Sequence, residues 1–189
     1  MNVKKKKPGF TLLEMIIVLA LTVIILGIAS SMFITGNKVF SNSDVKTTLQ
    51  MEGQAIQEKI SDIGMQATGI SQPIDPYIWN SETNEIDKIL INSYYKTTEA
   101  GASYDIKIEK RDSTKTYKDG RKIYELLIGD TPISSNVQSV QIDSSVITAK
   151  ENNTLKNVNS IEFTIVLRKE KGYDDVEQTI KFRVAFRNK

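Results

Sequence analysis

A single carboxylate interrupts the long apolar segment near the start of the chain. Glu14 is the only charged residue between Phe10 and Phe33. A carboxylate inside a lipid-facing helix costs about 2.5–3.5 kcal/mol. Near the N-terminus of a helix, by contrast, the helix dipole favours negative charge. Glu14 is therefore expected to have a specific electrostatic role at the N-terminus of a helix.

The composition excludes several other chemistries. The 189-residue chain has no cysteine and no histidine. This excludes thiol catalysis, disulfides and cysteine-based metal sites, and removes the commonest general base. Apolar residues make up 40% and charged residues 25%, a globular balance. We expect no catalytic residues, no cofactor and no metal site.

The element that must position Glu14 is the apolar run from Phe10 to Phe33. At a rise of about 1.5 Å per residue it is about 35 Å long, enough to cross a hydrocarbon core of roughly 30 Å. Four basic residues, Lys4, Lys5, Lys6 and Lys7, precede it. Their charge is expected to hold the N-terminus in the cytoplasm and to send the rest of the chain outward.

Two simple interpretations leave residues unexplained. A secretory signal peptide fits the basic start, and Ala29 to Ser31 is an acceptable cleavage site, but the apolar run is about twice the usual length. A plain membrane anchor explains the length and the lysines. It does not explain Gly9 or Glu14.

The segment from Lys4 to Glu14, KKKKPGFTLLE, closely resembles the processing signal of the type IV pilin superfamily. That family includes pilins, secretion-system pseudopilins and competence pseudopilins. The resemblance implies that prepilin peptidase cuts after Gly9 and that the new amine on Phe10 is N-methylated. Gly9 leaves room for a narrow cleft, and Pro8 disfavours helix before the cut. Glu14 is then expected to pair with the N-terminal amine of a neighbouring subunit.

An amphipathic pattern continues beyond the membrane run. Apolar residues recur at helical spacing on one stripe: Val45, Leu49, Ile56, Ile60, Ile63 and Ala67. The pattern predicts a helix from about Phe10 to about Ala67, with Gly69 and Pro73 as stop signals. Ser41 to Asp44 is a possible cap for a second helix.

The rest of the chain is β-like. Short apolar or alternating runs predict strands at 86–91, 104–108, 122–128 and 137–142. Turn signals lie at Asp119-Gly120 and Gly129-Asp130. The clearest pair, 161–167 and 180–186, predicts an antiparallel hairpin whose buried face meets the helical stripe.

These elements predict an α+β protein with the pilin fold, a long N-terminal α-helix packed on a C-terminal antiparallel β-sheet domain. Its parts are a leader (1–9), a transmembrane half-helix (10–33), an extracytoplasmic amphipathic half (34–72) and a β-rich head (73–189). The order of elements also resembles the minor-pilin and J-type minor-pseudopilin branch. Many true pilins carry a helix-breaking proline, whereas this helix has none, which favours a minor subunit.

Two further groups of charged residues lie in the head. Basic residues cluster in the head: Lys107, Lys110, Arg111, Lys115, Lys118, Arg121 and Lys122. Because acids alternate with them and the net charge is only +2, we expect a solvated strand face, not a nucleic-acid site. Gly129-Asp130 and Asp174-Asp175 are similarly expected to be turn residues and not calcium ligands.

The sequence thus predicts a minor structural subunit of a type IV pilus or related pseudopilus, with no enzymatic activity. Its expected partners are prepilin peptidase, other pilin or pseudopilin subunits, the inner-membrane assembly platform and membrane lipid. It would be a single-pass cell membrane protein that enters a filament. The alternative is a membrane-anchored extracytoplasmic binding protein or adhesin that is not assembled into a filament.

Overall fold

The structure, a computed structural model, describes residues 9–70, 83–94, 104–143, 159–172 and 174–187. The chain forms two compact units, Met1–Ser43 and Asp44–Lys189. Lys4 to Lys7, Pro73 and the side chain of Asp174 lie outside the described residues.

One long helix, α1 (Leu12–Met65), begins in the first unit and ends in the second. It continues through Ser41 to Asp44, so no second helix begins there. Its C-terminal end, at Met65, comes earlier than predicted, because the residues Ala67–Ile70 form strand β1. The amphipathic half therefore does not reach residue 72, and the helix does not reach Ala67.

Long-range hydrogen bonds explain the early end of α1. Gln66 donates its backbone N–H to the carbonyl of Ile63 at 3.2 Å, which closes the last turn. Ser93 Oγ donates to the same carbonyl at 2.8 Å. Tyr94 donates its backbone N–H to the carbonyl of Gln66 at 3.1 Å. The end of the helix is thus fixed by hydrogen bonds from Ser93 and Tyr94, which lie more than twenty positions further along the sequence.

The second unit carries a seven-stranded antiparallel sheet in which each strand pairs with the next along the chain. After β1 come β2 (Lys88–Ser93), β3 (Tyr104–Thr116), β4 (Lys122–Ile128), β5 (Thr131–Ile142), β6 (Ser160–Lys171) and β7 (Asp174–Ala185). This is the predicted α+β arrangement, a long N-terminal helix followed by an antiparallel sheet, and it is consistent with a pilin fold.

The predicted strands are found, with some changes of bounds. The first lies at Lys88–Ser93 instead of 86–91. Strands β3, β5 and β6 are longer than predicted, and β7 begins earlier and ends one residue earlier than predicted. Strand β4 has the predicted bounds, and β6 and β7 form the predicted hairpin, paired from Ser160 with Ala185 to Lys171 with Asp174. Turns occupy both predicted Asp-Gly and Gly-Asp sites, where Gly120 and Gly129 have φ values of 84° and 62°. Glycine adopts this left-handed region at little cost.

The core lies between the helical stripe and one face of the sheet. Leu49, Ile56, Ile60 and Ile63 are fully buried, and they share a cluster with the inner residues of β2 to β7. Phe163 and Phe182 stack within this cluster, with ring centroids 5.7 Å apart. The prediction that the buried face of the hairpin meets the helical stripe is confirmed.

The helix and β7 run side by side in the same direction. At one end, Lys171 Nζ, at the tip of the β6–β7 hairpin, lies 2.9 Å from Asp44 Oδ2. Further along, Gly53 faces Ile180 and Gly64 faces Val184. A Cβ added at Gly64 would lie 1.7 Å from Val184 Cγ1, and one at Gly53 would lie 2.4 Å from Ile180 Cδ1. Glycine is needed at both positions because the helix backbone touches the strand's side chains.

Replacing Gly64 tests this contact. In a free helix, alanine is about 1 kcal/mol better than glycine. Here Gly64→Ala is expected to lower the free energy of unfolding of the second unit by about 1–3 kcal/mol, because Val184 is a stiff β-branched neighbour. Urea denaturation of the detergent-solubilised chain, followed by tyrosine and tryptophan fluorescence, measures the change.

The matched control is Gly27→Ala, also within α1, where an added Cβ meets no atom within 4 Å. It should leave the unfolding of the second unit unchanged. If Gly64→Ala and Gly27→Ala behave alike, the close approach between α1 and β7 is wrong.

Candidate functional site

The N-terminus of the helix that carries Glu14 is capped by the hydroxyl of a neighbouring residue. Thr11 lies just before α1, and its Oγ1 accepts a hydrogen bond from the backbone N–H of Glu14 at 3.2 Å. The backbone N–H of Met15 donates to the carbonyl of Thr11 at 3.3 Å. Thr11 is therefore the N-cap, and Glu14 occupies the third helical position of a Thr-x-x-Glu capping sequence.

Thr11 is not among the residues predicted from sequence, although the spacing of Thr11 and Glu14 is a signal that identifies it. Its hydroxyl satisfies one of the amides that a helix N-terminus leaves unpaired. The carboxylate of Glu14 is exposed.

The predicted cleavage site is accessible. Gly9 and Phe10 precede α1 and have no regular secondary structure, and Phe10 is 78% exposed. A Cβ added at Gly9 meets nothing within 4 Å, in contrast to Gly53 and Gly64. The fold itself therefore does not require glycine at position 9.

The first half of α1 is built for an apolar environment. It is long and apolar enough to cross a membrane, and its most apolar window is entirely unburied. The hydroxyls along it donate to carbonyls one turn back: Thr22 to Val18 at 2.7 Å, Ser30 to Leu26 at 2.8 Å and Thr35 to Ser31 at 3.0 Å. Such internal bonds satisfy polar groups where no water is present.

Comparison with known proteins adds one match. Residues 4–30 match the family model of the prokaryotic N-terminal methylation motif. This segment is a type IV pilin-like signal. It includes the basic block, Gly9, Phe10, Glu14 and most of the apolar run. Comparison of the chain with curated proteins and with solved structures finds no match.

The methylation motif has direct implications. A signal of this type implies processing by prepilin peptidase and assembly with other pilins. Together with the apolar helix, it fits a single-pass membrane anchor. It indicates a structural subunit and not an enzyme.

The basic set in the head does not form a free cationic surface. Lys107 Nζ lies 2.8 Å from Glu109, Arg111 Nη2 2.8 Å from Glu125 and Lys122 Nζ 2.5 Å from Asp112. Lys110 is almost completely buried, and its ammonium contacts Asp87 and Glu85 and lies over the ring of Tyr124. These pairs neutralise most of the charge that a phosphate backbone would need.

The predicted turn acids show no metal geometry. Among the residues that the structure describes, no group of three or more acidic side chains is placed to hold a metal ion. Asp175 instead binds a guanidinium, Arg168, with its Oδ1 2.7 Å from Arg168 Nε.

Arg168 joins the tips of the β3–β4 and β6–β7 hairpins through ion pairs. It is nearly fully buried, and its Nη1 lies 2.8 Å from Asp119 Oδ2 in the β3–β4 turn. Its guanidinium stacks 4.4 Å from the ring of Tyr117, whose hydroxyl donates to the carbonyl of Arg168 at 3.0 Å. Burial raises the pKa of Tyr117 to about 12. A buried arginine needs such partners, since an unpaired buried charge is costly. We call Arg168, Asp119, Asp175 and Tyr117 the arginine clamp.

The arginine clamp predicts acid sensitivity. Hydrogen bonding to Arg168 lowers the pKa of Asp175 in the folded state below its ordinary value of 3.8. The ionised carboxylate therefore stabilises the fold above that value, and the stabilisation is lost as the pH falls through the lowered pKa. Between pH 5 and pH 3 the free energy of unfolding should fall more steeply for the wild type than for Asp175→Asn, measured by urea denaturation. Equal slopes would show that Arg168 does not hold this carboxylate.

Proposed function

We propose that this protein is a precursor of a pilin-like filament subunit, cut after Gly9 by prepilin peptidase, N-methylated on Phe10 and assembled through α1. The apolar half of the helix would anchor it in the cytoplasmic membrane, with Lys4 to Lys7 inside and the sheet outside. The inner-membrane assembly platform would then add it to a pilus or pseudopilus.

The observation that carries this proposal is the methylation motif at residues 4–30, which spans Gly9, Phe10 and Glu14. Glycine at the proposed cut fits this role, because a side chain at this position would obstruct the approach of a peptidase cleft to the scissile bond.

The pairing role of Glu14 is supported by the geometry of the helix start. Cleavage after Gly9 would leave a new amine on Phe10, about one turn before Glu14. Thr11 already caps the amide of Glu14 at 3.2 Å, and the carboxylate of Glu14 is exposed. In lipid, an amine from a neighbouring subunit would offset much of the cost of this buried charge.

A minor position in the filament is the finer part of the proposal. α1 is a continuous helix of 54 residues with no proline in it, so it lacks the break that many major pilins carry. Its head, an edge-open sheet of seven strands, is the part that would differ from subunit to subunit.

The mature N-terminus tests the proposal. In cells that contain the peptidase, intact-protein mass spectrometry should find a chain that begins at Phe10 and carries a methyl group. Gly9→Val should remain at precursor mass in the membrane, because its side chain blocks the cleft. Gly27→Ala is the matched control and should be processed normally.

A wild-type chain that retains Lys4 to Lys7 would reject the proposal and favour a membrane-anchored binding protein. A chain that begins near Met32 would instead support a secretory signal peptide. Normal processing of Gly9→Val would reject the assigned cleavage position.

A second prediction concerns Glu14. Glu14→Ala should insert in the membrane and be processed, but its recovery in sheared filament fractions should fall by roughly tenfold or more, as expected when a low-dielectric ion pair is lost. Quantitative immunoblotting of membrane and filament fractions measures this. Thr11→Val, which removes the cap hydroxyl but keeps the carboxylate, is the control and should be incorporated. Undiminished incorporation of Glu14→Ala would reject the pairing role.

A further inference from the structure

The two ends of the described sheet differ in how they are protected. Strand β1 has four residues and a register irregularity between Ala67 and Gly69. Strand β7 has twelve residues, no proline, and an unbroken ladder to β6. It is the last strand in the sheet order. Proteins usually shorten or disrupt an edge strand, because its outer backbone groups can pair with another chain.

Among the residues that the structure describes, β7 pairs with a strand on one side only, with β6. The core-facing residues of β6 opposite β7, such as Ile165 and Leu167, are fully buried. On β7, Val176 and Ile180 face the same core but are only partly buried, as is usual at the edge of a sheet.

The outer face of β7 has an asymmetric charge pattern. Every second residue is exposed, in the order Asp175, Glu177, Thr179, Lys181 and Arg183. Acids thus occupy the first half and bases the second, with Thr179 in the middle. Asp175 already pairs with Arg168 of the arginine clamp, and its side chain is 45% exposed. Lys181 and Arg183 share one carboxylate, Glu162, at 2.7 and 3.1 Å, and Arg183 also lies 4.0 Å from Asp143. Both cations remain more than 60% exposed.

When two copies of β7 run antiparallel, the charges of one strand are complementary to those of the other. If two β7 strands pair antiparallel with Thr179 opposite Thr179, Glu177 faces Lys181 and Asp175 faces Arg183. On the core side, Val176 then lies opposite Phe182. Opposite charges directly across an antiparallel pair contribute roughly 0.2–1 kcal/mol each, and like charges there are destabilising.

We propose that β7 pairs antiparallel with β7 of a second copy of this chain, in the register centred on Thr179, so that the two sheets become one. The interface is isologous, as a two-fold dimer requires. Four charge pairs, two from each half, fix the register.

The direction of β7 fixes the relative direction of the two copies. Because β7 and α1 run the same way within the second unit, from Asp44 beside Lys171 to Gly64 beside Val184, antiparallel strands place the two Asp44 residues at opposite ends of the pair.

Cysteine cross-linking of the full chain tests the register, because the chain has no native cysteine. Directly opposed residues of such a pair have Cα atoms about 4.5–5.5 Å apart, within the range of a disulfide. Thr164→Cys, on the neighbouring strand β6, is the matched control. Thr164 pairs with Lys181, so in this register its two copies lie three strand spacings across and four residues along the strands, roughly 20 Å apart. In detergent with a mild oxidant, Thr179→Cys should dimerise on the order of tenfold faster than Thr164→Cys, because pairing raises the effective thiol concentration. Equal rates would overturn the proposal.

Charge exchange tests the complementarity. In the Thr179→Cys background, Glu177→Lys alone and Lys181→Glu alone should each cross-link at the slow rate of the control. A mixture of the two should form heterodimers, identified by mass, and the double variant should recover the fast rate. Lys122→Glu, an exposed reversal on β4, should change nothing. Cross-linking that is unaffected by these charges would overturn the register.

The two proposals can fail separately. Cross-linking is measured on the uncut precursor, so it does not depend on cleavage after Gly9, and a correctly processed subunit can still lack the β7 pair.

Discussion

The packing of one stripe of α1 against one face of the sheet is the interaction on which the second unit depends. Leu49, Ile56, Ile60 and Ile63 are fully buried there and share one cluster with inner residues of all seven described strands. Burial of each such side chain is worth about 1.5–3 kcal/mol. Gly53 and Gly64 allow the helix backbone to approach β7 closely enough for this contact. A helix built only from the best helix formers would be held away from the strand.

The first half of the same helix is not buried. There, large apolar side chains are exposed all around it and hydroxyls bond within the helix. The two halves therefore need different sequences, apolar on every side before residue 34 and apolar on one stripe after Asp44. This difference is visible in the sequence, which is why the apolar first half of the helix and the buried stripe were both predictable from periodicity and length.

Features set by distant residues were not predictable in the same way. The end of α1 depends on Ser93 and Tyr94, which no local pattern near Met65 reveals. The burial of Arg168 depends on Asp119 from another hairpin, so from sequence it is one more strand cation. At the candidate site, Gly9, Phe10 and Glu14 follow from local spacing, and Thr11 also has a local signal. What the structure adds is that a Cβ at Gly9 would meet no atom within 4 Å.

The parallel course of β7 and the part of α1 within the second unit has a mechanical consequence. A pull on this unit at Asp44, directed along the helix, acts as shear on the whole stripe, because the helix lies along β7 and not across it. The packed side chains must then slide past one another together, whereas a load that peels the helix from the sheet would separate them one at a time. The second unit therefore resists a pull along its helix better than a pull away from its sheet.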